Sequence, residues 1–113
     1  MSDHPPKILL IDMLDTIDAI MEFSTGMGYE EYLADRKTRY AIYRNIEVMG
    51  EAVGRMPEYF LNNHPDVPWA KIKSTHNAFI HGYDKIDDSI VWNISTKLLP
   101  DLRTKLDKIL KTL

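Results

Sequence analysis

Residues 35–57 read DRKTRYAIYRNIEVMGEAVGRMP, and the spacing of their apolar side chains sets a helical period. Asp35 is suited to cap a helix N-terminus. Pro57 is where such a helix must end. Between them lie Ala41 or Ile42, Ile46, Met49, Ala52 or Val53, and Met56, recurring every three or four positions. A helix with one buried face has this pattern, whereas a half-buried strand alternates every second residue. Upstream, Leu10, Leu14, Ile17 and Met21 form a similar ridge, flanked by Met13 and Ile20. It should begin near Pro5-Pro6 and stop at Gly26-Met27-Gly28, followed by a short helical turn over Tyr29 to Ala34. Downstream, Pro57 can open a short helix through His64, and Pro65-Asp66-Val67-Pro68 is a rigid linker. A third long helix starts at Trp69 and runs towards Gly82-Tyr83. Asp87 or Asp88 then caps a last helix carrying Ile90, Ile94, Leu98, Leu102, Leu106 and Ile109 or Leu110, with a kink expected at Pro100. The fold expected is all-α, an up-down four-helix bundle with short extra helices, as one domain over residues 1–113.

A length of 113 residues leaves no room for two domains. The chain has no cysteine, which excludes a disulfide scaffold, a thiolate zinc site and a cysteine nucleophile. No apolar run approaches the ~20 residues that cross a bilayer, so a cytoplasmic protein with no membrane partner is expected. The net charge of -3 speaks against a general nucleic-acid binder. Its distribution is uneven: residues 1–68 carry six Lys/Arg and twelve Asp/Glu, residues 69–113 eight and five.

Within the acidic part, residues 36–44 hold four positive charges and no acid. Arg36, Tyr40, Tyr43 and Arg44 fall at helical spacing, with Arg39 beside them. Arginine can grip phosphate while tyrosine stacks on an unpaired base. These five residues are therefore candidates for RNA contact, as against a solvated face with ordinary ion pairs to Asp35 or Glu47. Met13, Met21, Met49 and Met56 read as core.

The stretch from Trp69 to Asp84 contains His76, Asn77, His81 and Tyr83, beside the helix-weakening Gly82. Histidine is the side chain most readily used as acid or base near neutral pH. Composition alone favours the plainer alternative, that His81 and Tyr83 merely hydrogen-bond at a helix end. His76 and His81 are five apart, about 140° around an ideal helix, so they do not form a two-histidine metal site. Asn77 and His81, four apart, share a face. No metal or cofactor is expected.

The ordered set Glu30-Glu31-Tyr32-Leu33, Asp35-Arg36-Lys37-Thr38, Arg44 to Ala52, His64 to Trp69 and Asn77 to Tyr83 resembles the HepT family. These are small HEPN-fold proteins that act as toxins beside a MntA-type minimal nucleotidyltransferase antitoxin. The resemblance runs from about Leu9 to about Leu110. The family motif is an arginine, four residues, a histidine, one residue and a tyrosine, with asparagine usually following the arginine. Asn77, His81 and Tyr83 match; His76 stands where the arginine would be. The resemblance implies metal-independent RNA cleavage, with two motif copies meeting across a homodimer cleft. It makes His81 the acid/base candidate, Asn77 a positioning group, and Tyr83 the tyrosine that the antitoxin would modify with AMP. A buried tyrosine with a satisfied hydroxyl is the alternative for Tyr83.

The substitution at position 76 carries its own expectation. Arginine offers phosphate a permanent charge and a fixed pair of donors. An imidazole is shorter, has fewer donors and is mostly neutral at pH 7. The chain is accordingly expected to be a weakened ribonuclease, or one needing lower pH. The other expectation is an inactive helical protein that only binds its nucleotidyltransferase partner or RNA. The RNA target is not legible in the sequence.

Overall fold

The computed structural model describes residues 5–80 and 82–113, apart from the side chains of Ile80 and Tyr83. His81 therefore lies outside the described residues. Among the described residues are seven α-helices: α1 (Pro6–Ser24), α2 (Tyr29–Ala34), α3 (Arg36–Arg55), α4 (Glu58–Asn63), α5 (Trp69–Ile80), α6 (Asp88–Asn93) and α7 (Leu99–Lys111). A 3-10 turn, Tyr83–Lys85, precedes α6, and a π turn, Ile94–Leu98, joins α6 to α7. No strand occurs among the described residues, so the expected all-α, HEPN-like helical fold is the one observed.

The helix boundaries follow from local chemistry. Proline at the start of α1 needs no N–H partner there. Gly26, with φ +75°, turns the chain after α1, in a region that L side chains avoid. The Glu31 carboxylate accepts a hydrogen bond from the Gly28 N–H at 3.1 Å, closing the start of α2. Asp35 caps α3, accepting from the Thr38 N–H at 3.0 Å and the Thr38 hydroxyl at 2.7 Å. At α6 the cap is Asp87, which takes the Ser89 N–H at 2.9 Å and its hydroxyl at 2.6 Å. The linker is pinned by Trp69, whose Nε1 donates to the His64 carbonyl at 2.9 Å, and by buried Val67.

α1 packs on α3 and α7, and α3 on α5, around one apolar core. Leu10, Ile17, Ile20, Ile42, Ile46, Leu99 and Leu106 have no exposed surface. Each such side chain contributes ~1.5–3 kcal/mol relative to leaving it in water. Asp18 of α1 takes a two-pronged bond from Arg103 of α7, at 2.6 and 3.3 Å, on the outside of that packing.

The last helix departs from its expected ridge. Ile90 is 55% exposed and Leu98 only partly buried; Val91, Ser95 and Leu99 face the core instead. Proline at 100 has no N–H for the carbonyl four residues back. The chain accommodates it with a π turn, in which the Leu99 N–H reaches the Ile94 carbonyl. The hydroxyls of Ser95 and Thr96 bond back to the Val91 and Trp92 carbonyls at 2.9 and 2.8 Å. The wider turn shifts side-chain phase, so one straight ridge does not describe both halves.

Among the described residues, no helix is long and apolar enough to cross a membrane.

Candidate functional site

The end of α5 carries His76 and Asn77. Asn77 is exposed, and its Oδ1 lies 3.4 Å from the His76 Nδ1. His76 is seated against Gly50 of α3: a Cβ built on Gly50 would lie 2.2 Å from the His76 Cβ. One turn on, the position of a Gly54 Cβ lies 2.6 Å from the Lys73 Nζ. Gly50 thus lets α3 and α5 approach more closely than a side chain there would allow, whereas at Gly54 the flexible Lys73 ammonium could swing aside.

After α5 the chain reverses at Gly82, with φ +110°, whose N–H donates to the Phe79 carbonyl at 3.2 Å. The Lys85 N–H returns to the Gly82 carbonyl at 3.2 Å and closes the 3-10 turn containing the Tyr83 backbone. His81 and the Tyr83 side chain lie outside the described residues, so the structure places neither group relative to His76 and Asn77.

Three residues beyond this turn, Asp88 anchors a polar cluster that sequence reading missed. Oδ1 of Asp88, the first residue of α6, accepts from the Tyr32 hydroxyl at 2.7 Å and from the Tyr43 hydroxyl. Its Oδ2 lies 3.6 Å from a guanidinium nitrogen of Arg39. Burial raises the Tyr32 hydroxyl above its ordinary pKa, and its bond to Asp88 adds to the effect. Tyr43 is raised for the same two reasons. The guanidinium of Arg39 is held still more firmly protonated by the Tyr43 hydroxyl and, less strongly, by the charge of Asp88. Two adjacent aspartates at the start of α6 were the available signal: one caps the helix, leaving the other free to reach inward.

This cluster divides the basic-aromatic stripe. Tyr43 is 1% exposed, so it presents no ring on which a base could stack. The Arg39 side chain is 22% exposed and faces Asp88 at 3.6 Å, so its charge is shared with that carboxylate. Each residue advances about 100° around a helix, and the border of the buried arc of α3 passes through these two positions. Arg36 and Tyr40 are exposed; Arg44 is exposed and lies 3.6 and 3.7 Å from Glu47 and Glu51. Among the described residues, no group of three or more His, Asp or Glu side chains could hold a metal ion.

A family model described as Ribonuclease HepT-like matches residues 13–109. A Methanocaldococcus jannaschii protein named as a candidate RNase, MJ0127, is 35% identical over 93% of this chain and 87% of its own length. The protein named "Probable ribonuclease HepT" from Thermococcus cleftensis is 32% identical over 93% of this chain and 96% of its own. A Caldanaerobacter subterraneus protein, TTE0752, also named as a candidate RNase, is 29% identical over 94% and 95%. No solved structure matches the chain.

Proposed function

The chain belongs to the HepT-like ribonuclease family, and on that premise we propose that it is an RNA endonuclease, the toxin subunit of a toxin-antitoxin pair. The observation that carries this reading is the sequence pattern Asn77, His81, Tyr83, whose first member stands in the last turn of α5. His76, exposed Asn77 and the turn at Gly82 belong to the same end of that helix.

RNA supplies its own nucleophile, so protein groups suffice without a metal. His81 takes the proton of a 2′-hydroxyl as that oxygen bonds to the adjacent phosphorus. The bond from phosphorus to the 5′-oxygen breaks, and that oxygen receives a proton from an acid, assigned to the motif of a second copy. The products are a cyclic phosphate and a free 5′-hydroxyl. Asn77 holds a phosphate oxygen, and Arg36, Tyr40 and Arg44 extend the contact along the strand. Two copies sharing one cytoplasmic cleft should sediment at twice the 13.1 kDa of the chain. A MntA-type nucleotidyltransferase silences the toxin by attaching AMP to Tyr83, since added negative charge repels the RNA phosphate.

His76 fills the position at which a phosphate-gripping arginine would act. His76→Arg should therefore raise cleavage of single-stranded RNA by about 10²–10³-fold, the usual worth of one preorganised charged donor. If neither chain cuts RNA or slows growth, the nuclease reading fails. The second reading, favoured by His76 itself, then applies: a non-catalytic protein that binds the transferase or RNA. Mass spectrometry after incubation with ATP and the transferase, with Tyr83→Phe as control, tests the modification.

A further inference from the structure

Tyr43 touches both ends of one stretch of chain. Its ring meets the Phe79 ring near the end of α5, with centroids 5.4 Å apart, and its hydroxyl bonds to Asp88 at the start of α6. Phe79 is 5% exposed, so the contact is internal. Residues 80–87 join these two anchors, and His81 and Tyr83 belong to that stretch. On the far side, Asp88 is also held by Tyr32 of α2 and faces Arg39 of α3. Two phenol donors and a guanidinium converge on one carboxylate, which fixes the start of α6 against α2 and α3.

We propose that Tyr43 and Asp88 are positioning residues that clamp the two ends of the 80–87 stretch and so set the separation between α5 and α6. This rests on the nuclease reading, because the stretch matters for catalysis only if His81 does. Neither residue touches substrate; both act through the groups that the stretch bears. The cluster suits this role better than a purely stabilising one. An apolar core residue would pack Tyr43 as well, but a carboxylate at 88 imposes direction on three separate donors.

The test uses the full chain carrying His76→Arg, with two readouts. Tyr43→Phe keeps the ring against Phe79 and removes only the hydroxyl. It should lower kcat for RNA cleavage about tenfold or more while leaving KM within about twofold, as expected when reacting groups are displaced rather than binding lost. Amide hydrogen exchange at residues 82–87 should become faster in the same variant, with exchange in α1 and α3 unchanged. Asp88→Asn keeps an acceptor for the hydroxyls and should retain more of the activity than Asp88→Ala. Unchanged kcat, or unchanged exchange at residues 82–87, in Tyr43→Phe overturns the clamp. If the His76→Arg parent cuts no RNA, the nuclease reading has failed. Exchange then decides the clamp separately, faster exchange supporting it and unchanged exchange overturning it.

Discussion

At position 50 there is no room for a methyl group, because the first atom it would meet is the His76 Cβ at 2.2 Å. Gly50→Ala should cost ~1–3 kcal/mol by overpacking, read from the urea midpoint. His76→Ala should not relieve that cost, since its Cβ remains; His76→Gly should. Gly50 is visible in the sequence, but its role is a distance between two helices, which periodicity along one chain does not express. Tyr43 was hard to read for a related reason. Tyrosine suits both a core and a nucleic-acid face, and only the arc of α3 that packs inward separates the two. Tyr32 gives a pH prediction. Its folded-state pKa is raised, so its contribution is intact below the ordinary value of 10.0 and is lost as pH rises further. Thermal melts should therefore show stability declining above pH ~10, with part of that decline removed in Tyr32→Phe.

On the scale of one helix, the start of α3 rests on Asp35. Two bonds from Thr38 hold its carboxyl below the usual 3.8. A depressed folded-state pKa means stability that is present above that value and is lost as pH falls through the lower one. Asp35→Ala should lower the melting temperature at pH ~7, and the gap from the parent should narrow towards pH ~2. Helix starts and stops were readable because they obey rules spanning three or four residues, as at Pro6, Asp35 and Gly26. The π turn was not, although Pro100 announced a disturbance. A proline removes one hydrogen bond, but whether the chain kinks, stops or winds wider depends on which neighbours wait to be buried. Here Val91, Ile94 and Leu99 are buried and Ile90 is left in solvent.

For the molecule as a whole, stability depends on α3 packing between α1 and α5. Ile46, fully buried on α3, should cost ~2–5 kcal/mol when cut to alanine, measured by chemical denaturation. The all-helical architecture was legible because its contacts repeat along each helix. The Tyr32, Tyr43 and Asp88 meeting was not, for its members are 56 and 45 residues apart and share no local pattern. The same separation has a consequence for synthesis. A chain emerging from the ribosome has made Tyr43 long before Asp88, and the carboxylate that completes the tie arrives late in translation. A nascent protein thus holds α2 and α3 before the carboxylate that ties α6 to them has been made, and that tie can close only as the final third of the chain is released.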